Sequence, residues 1–168
     1  MKYTGVIRRL DNLGRLVIPR EFRKLQNIKA GDPLEICVQE DGDMIVRRVD
    51  LGAKLVKAGS AIVSELFDTL QLAFFLCDTE KFLSGSSNTL NSIIGTLISG
   101  ELSFSIQKNK EFVGKINIPY LEKDFYCCSY PVFVDDLFGA LVVISTEQIL
   151  DWKQKVTKMA SRIIANNL

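Results

Sequence analysis

Hydrophobic and polar positions change period several times along the chain, and each change marks an element. Val6, Arg8 and Leu10 alternate with Ile7 and Arg9, the period of two that a half-buried strand shows. Asp11-Asn12-Leu13-Gly14 is turn chemistry, since Asn and Gly tolerate positive φ. A second short strand follows over Arg15-Leu16-Val17-Ile18. Pro19 presets φ for a first helical turn, and Arg20 to Leu25 reads as one short helix. Gly31-Asp32-Pro33 makes the next turn, and Leu34 to Val38 alternates again. Asp41-Gly42 is a hairpin signal before Ile45-Val46-Arg47-Arg48.

The pattern then shifts. A boundary lies near Val49 to Lys54, where Gly52 interrupts the alternation, and Leu55 onwards takes helical spacing. Leu55, Ile62 and Leu66 form one stripe with Val56, Val63, Phe67 and Leu70 beside it. Gly59 weakens this helix by roughly 1 kcal/mol relative to Ala, so packing must hold it. Leu72 to Cys77 is a continuous apolar run suited to a central strand, and Ser84 to Asn88 reads as a loop. Thr89 to Ser99 reads as a helix capped by Thr89 or Asn88. Glu111 to Ile118 is a strand, and Phe125 to Val134 and Leu137 to Ser145 form a hairpin through Asp135-Asp136. Ile149, Trp152, Val156, Met159, Ile163 and Ile164 close the chain as a second amphipathic helix. These helices carry more apolar width than one sheet needs, which predicts that they serve both their own sheet and a bundle between subunits. The expected class is α+β, with one domain over residues 1–53 and another over 54–168.

Composition removes several function classes. The chain has 168 residues, 47% hydrophobic and 24% charged, the profile of an ordinary globular protein of one or two domains. With no histidine, Cys-His and Ser-His catalysis and most zinc sites are excluded. Cys37, Cys77, Cys127 and Cys128 lack metal-ligand spacing and read as small apolar core residues of a reducing cytoplasm. No signal-peptide pattern opens the chain and no run of 18 apolar residues occurs, so neither export nor a membrane is expected. Ser84-Gly85-Ser86-Ser87 lacks the lysine and spacing of a phosphate loop, and no cofactor is expected.

Charge is distributed unevenly. Residues 1–29 carry eight Lys/Arg and two acids (+6), and residues 30–50 carry two Arg and six acids (−4). Local charge, rather than the total of +1, decides which polyanion a surface meets. Arg20, Arg23 and Lys24 share one helical face, and Arg8, Arg9 and Arg15 come from the adjoining strands and turn. Such a cluster is either a solvated face or a nucleic-acid contact surface.

Those residues stand in a recognisable frame. Thr4-Gly5, Arg8-Arg9, Leu13-Gly14-Arg15-Leu16-Val17-Ile18-Pro19, Phe22-Arg23-Lys24, Gly31-Asp32 and Leu34-Glu35-Ile36 closely resemble the AbrB-type swapped-hairpin DNA-binding domain of bacterial transition-state regulators. The resemblance implies an intertwined homodimer whose chains exchange hairpins, with double-stranded DNA as the partner. Carried over by position, the contacts are Arg8, Arg9, Arg15, Arg23 and Lys24; Arg20 is a further candidate outside the family pattern. Lys24 offers a point charge where many members have the Arg fork. Residues 54–168, ending in YPVFVDDLFGALVVIS, are similar to a GAF domain, so the whole chain resembles the sporulation regulators that join the two modules. That implies oligomerisation as a tetramer through the C-terminal helices, or sensing of a small-molecule effector, and a cytoplasmic, nucleoid-associated protein. A candidate ligand pocket draws on Phe75, Cys77, Ser86, Ser87, Phe112 and Tyr130, aromatic walls with hydroxyls; the alternative is that these aromatics fill the core. An antitoxin-like protein that neutralises a partner protein is the competing reading, and it predicts a short disordered tail rather than 115 apolar-rich residues. An enzyme is not expected, because Asp135 and Asp136 read as solvated turn carboxylates.

Overall fold

A computed structural model describes residues 5–118, 121, 123–134 and 137–168. The chain divides into two compact units, Met1–Val49 and Asp50–Leu168, and the class is α+β as expected.

In the first unit, α1 spans Arg20–Leu25, and β1 (Leu34–Val38) pairs antiparallel with β2 (Met44–Arg48) in the register Ile36 opposite Val46. Pro19 is the residue before α1, extended at φ −58° and ψ 148°, rather than a member of its first turn. Asn27, at φ 52°, ends the helix, and the Ile28 N–H returns to the Arg23 carbonyl at 2.8 Å. Asp41-Gly42 forms the β1–β2 turn, with the Gln39 N–H on the Asp43 carbonyl at 2.8 Å.

The expected strands Val6–Leu10 and Arg15–Ile18 are not strands in the single chain. Residues 5–19 are joined only at their tip, where the Asp11 N–H reaches the Arg15 carbonyl at 3.1 Å and the Gly14 N–H reaches the Asp11 carbonyl at 3.0 Å. A strand exists through its ladder, and these segments have no ladder partner among the described residues of one copy. Gly14 takes φ +74° at the tip, the conformation for which its position selects glycine.

The second unit is a three-layer sandwich. α2 (Leu51–Leu70) leads into β3 (Ala73–Cys77) and β4 (Phe82–Ser86). A single 3-10 turn (Asn91–Ile93) and α3 (Gly100–Gln107) precede β5 (Phe112–Ile118), β6 (Lys123–Val134), β7 (Leu137–Ser145) and α4 (Asp151–Asn166). The five strands pair antiparallel in the order β4-β3-β7-β6-β5. The Asp135-Asp136 turn lies outside the described residues; β6 and β7 pair on either side of it up to Val134 opposite Leu137.

Strand alternation sorts the core into two faces. Phe74, Leu76, Cys128, Tyr130, Val132, Leu141 and Val143 pack against Leu55, Val63, Leu66, Ala160 and Ile164 of α2 and α4. Phe75, Cys77, Phe125, Cys127, Ala140, Val142 and Ile144 pack against Leu90, Ile93, Leu102 and Ile106 of the 3-10 turn and α3. With both faces covered, β3 and β7 read as unbroken apolar runs.

Three sequence expectations shift here. α2 begins at Leu51, so Gly52 lies in its first turn; the Asp50 carboxylate caps it by accepting the Ala53 N–H at 2.9 Å. Thr89 to Ser99 is not a helix. Ser87 Oγ accepts the Thr89 and Leu90 N–H groups, the chain makes one 3-10 turn, and Ile94 returns to extended backbone. The helix starts at Gly100, capped by Ser99 Oγ on the Leu102 N–H at 3.3 Å. Ser84-Gly85-Ser86 is not a loop but the edge strand β4, Gly85 opposite Phe75.

Two glycines set close approaches. A Cβ on Gly59 of α2 would stand 2.8 Å from Leu76 Cδ1, so the weak helix former is what lets α2 seat on β3. A Cβ on Gly85 would stand 2.1 Å from the Phe75 ring and 2.7 Å from the Phe74 carbonyl oxygen. That ring is fully buried and edge-on to Phe82, centroids 5.6 Å apart. Gly85→Ala is therefore expected to destabilise the fold by about 1–3 kcal/mol, the range for overpacking a tight core. Urea unfolding checks it: an unchanged midpoint would mean that Phe75 can move aside.

Candidate nucleic-acid interface

All six predicted DNA contacts are exposed. Arg8 and Arg9 precede the tip of the N-terminal hairpin, Arg15 follows it, and Arg20, Arg23 and Lys24 lie on α1. The cation count of this unit is larger than its usable charge. Arg47 Nη2 lies 2.6 Å from Glu35 Oε2, and Arg48 Nε lies 3.3 Å from Asp32 Oδ2. Hydrogen bonding to Glu35 raises the Arg47 pKa above its ordinary value. Both arginines are thus neutralised on the β1–β2 hairpin. Arg9, Arg20, Arg23 and Lys24 form no ion pair among the described residues, so the cationic surface belongs to the hairpin arm and α1.

Arg15 is the exception within the set. Its Nε donates to Asp11 Oδ2 at 2.7 Å, while Asp11 Oδ1 accepts the Leu13 and Arg15 N–H groups at 2.9 and 2.8 Å. The composition of the turn predicts its bend; it does not single out Asp11, whose role is visible only when the carboxylate is seen folded back on its own tip.

A largely apolar groove of about 650 Å³ runs beside this arm, its lining including Val6, Leu16, Val17, Ile18, Phe22, Ile28, Ile45 and Val46 together with Arg8 and Arg47. No described residue from 5 to 49 is buried, and Leu10, Leu16, Val17, Ile36 and Val38 are each more than half exposed.

The candidate ligand residues do not converge. Phe75 and Cys77 are sealed beneath α3, with Phe112 packed at the margin of that face. Tyr130 belongs to the opposite face, beneath α2 and α4. Ser86 pairs in β4 opposite Phe74, and Ser87 lines a separate recess of about 260 Å³ with Phe67, Gln71, Asn88 and Phe125. On the α3 face Ser129 Oγ, buried opposite Val142, has no hydrogen-bond partner among the described residues. Burial raises the pKa of the Cys77 and Cys127 thiols and pushes Cys128 up to about 11, which leaves these sulfurs as protonated core atoms at neutral pH. Among the described residues no group of three His, Cys, Asp or Glu could hold a metal ion, and no helix is long and apolar enough to cross a membrane.

Comparison with known proteins bears on both units. The chain is 30% identical to stage V sporulation protein T of Bacillus subtilis (strain 168) over 176 aligned positions, 100% of this chain and 99% of that protein. This chain belongs to the stage V sporulation protein T family. Its N-terminal part is also 49% identical over 41 residues to the transition state regulatory protein AbrB of the same organism, 24% of this chain and 43% of that protein. Residues 7–53 match the family described as antidote-toxin recognition MazE, bacterial antitoxin. Two solved structures share the fold at low identity. One is the E. coli DhaR(N)-DhaL complex (TM-score 0.53, 16% identity, 68% of this chain and 47% of that chain). The other is an IclR homolog from Microbacterium hydrocarbonoxydans (TM-score 0.51, 9% identity, 88% and 82%). The C-terminal unit is accordingly a GAF-like α/β domain and the N-terminal unit an AbrB-like hairpin.

The Asp11 carboxyl is held below its ordinary pKa of 3.8, first by the Arg15 backbone N–H and then by the Arg15 side chain. A lowered pKa means that the turn is favoured with the carboxylate charged, above 3.8, and loses that support as pH falls through the lowered value. An NMR pH titration should place Asp11 below 3.8 and move it upward in Arg15→Ala; no movement would mean that the side-chain pair does not form in solution.

Proposed function

We propose that this chain is a DNA-binding transcriptional regulator of sporulation genes, acting through residues 1–53 of an intertwined dimer, with residues 54–168 as an oligomerisation domain. The carrying observation is the N-terminal unit itself: exposed cations on the hairpin arm and α1, most of them without an ion pair among the described residues, in a unit none of whose described residues from 5 to 49 is buried. A unit of this size buries too little surface to stand alone, and the groove beside Leu16, Val17 and Val46 suits the same segments of a second copy. Pairing completes the ladders of residues 6–10 and 15–18. It also doubles the set Arg8, Arg9, Arg15, Arg23 and Lys24, with Arg20 beside it, for phosphates and groove edges of double-stranded DNA. The protein would then work on the nucleoid in the cytoplasm.

The match to the stage V sporulation protein T relative along the whole chain supports this reading over the antitoxin one, which the MazE-type match to residues 7–53 alone would allow. The antitoxin reading expects a short disordered tail, and residues 54–168 lie in a folded sandwich. Trp152, Met159 and Ile163 form an exposed stripe on α4, 53%, 59% and 44% accessible, which suits pairing of C-terminal units into a tetramer. Two DNA-binding units on one tetramer would raise avidity by orders of magnitude. Effector sensing is a second reading, favoured only by the unpaired Ser129 hydroxyl.

Arg15→Ala should weaken binding to double-stranded DNA severely, to a level still measurable at low salt, and leave the fold intact, because Arg15 sits beside an exposed turn. Titration across a salt series, with circular dichroism as the fold control, checks it. Each phosphate contact should contribute a slope of roughly −0.9 in log affinity against log salt, and undiminished binding would overturn the assignment. Light scattering at micromolar concentration should give a tetramer mass, and Trp152→Glu with Met159→Glu should reduce it to a dimer. A dimer for the unmodified chain would remove the tetramer from the proposal.

A further inference from the structure

We propose that Asp11 is the positioning residue for Arg15: it fastens the Nε side of the guanidinium to the turn, so that the two terminal amines face outward as a fork for a phosphate or a guanine edge. This rests on the reading that Arg15 meets DNA. The carboxylate is engaged three times within its own turn, since Oδ1 takes two backbone N–H groups and Oδ2 takes Arg15 Nε at 2.7 Å. The tip is closed a second time by the Asp11 N–H on the Arg15 carbonyl and the Gly14 N–H on the Asp11 carbonyl. Backbone and side chain of Arg15 are therefore both referred to one rigid turn. Arg47 makes a different pair, giving both Nε and Nη2 to Glu35 Oε2 at 2.6 Å each.

Charge makes the arrangement informative. Asp11 is one of only two acids among residues 1–29, and by Coulomb repulsion it opposes phosphate binding. Nor does the pair need to exist for stability, because both side chains are well exposed (72% and 41%) and exposed pairs contribute little. What a fixed carboxylate provides is orientation: an arginine held at Nε loses less side-chain freedom on binding and presents a planar fork, which a mobile one must order first.

The test is a double-mutant cycle in the full chain, using a labelled DNA duplex enriched from a random pool by the unmodified protein. Asp11→Asn keeps the oxygen that accepts the turn N–H groups and removes the charge that holds Nε. In the native background it should weaken binding about tenfold, the scale of one well-placed bidentate contact. In the Arg15→Ala background, where nothing remains to position, it should leave binding equal or tighter. Arg15→Lys, which leaves the Asp11 turn untouched but lacks the fork, should show the same loss as Asp11→Asn and covers the case in which Asp11→Asn misfolds. If Arg15→Ala loses binding while Asp11→Asn tightens it or leaves it unchanged, the positioning role is overturned and the DNA-contact reading stands. If Asp11→Asn weakens binding equally in both backgrounds, Asp11 serves only the turn and the proposal fails. If Arg15→Ala binds like the unmodified chain, the contact reading falls and the proposal with it.

Discussion

Residues 5–49 carry more apolar side chain than a single copy covers, and much of the molecule follows from that. Leu10, Leu16 and Val17 lie on short segments whose backbone donors and acceptors meet no ladder among the described residues of one chain, and Ile36 and Val38 are exposed on the two-stranded β1–β2 sheet. Exposed apolar area and unpaired backbone both favour association, and segments with a period of two supply a template for it. The same geometry keeps the cations at the surface. The sheet-forming side chains want to be inside an assembly, while Arg8, Arg9 and Arg15 project from the strand ends and the tip between them. Neutralisation of Arg47 by Glu35 and Arg48 by Asp32 then leaves the positive charge of this unit's described residues with the hairpin arm, α1 and Lys29 just beyond it.

The GAF-like unit solves the opposite problem. β3 and β7 run through its centre with both faces covered, and glycines at 59 and 85 let a helix and an aromatic ring approach closer than a methyl group allows. A core filled to this degree is a rigid platform. Part of its exposed apolar surface, at Trp152, Met159 and Ile163, lies on one side of α4, away from the sheet that Ala160 and Ile164 face.

Much of this was legible in the chain because period and punctuation carry it. The apolar runs of β3, β6 and β7 and the stripe of α2 follow from side-chain geometry, and the Asp41-Gly42 turn from backbone conformation. What misled was local chemistry read without its partners. Ser84-Gly85-Ser86 has the composition of a loop, yet Gly85 is there because the Phe75 ring lies over it, a long-range fact. Thr89 to Ser99 reads as a helix, but Ser87 Oγ folds the chain back at Thr89 and Leu90 ahead of a 3-10 turn, and Ser99 caps a later helix instead. Alternation predicts strands in the hairpin arm, and it cannot say which chain provides the other half of a ladder. For the site, residue type located the basic cluster, whereas the role of Asp11 depends on where one carboxylate folds back. The ligand residues failed to gather because parity along β6 sends Tyr130 to the face opposite Phe75.

That same parity separates Cys127 from Cys128. One sulfur is closed off by the layer of α3 and the 3-10 turn, the other by the layer of α2 and α4. Neighbours by a single peptide bond, they belong to different cores. Loosening of one layer would admit solvent to one thiol and leave the adjacent thiol covered, so the order in which the sandwich opens is recorded in the reactivity of a dipeptide.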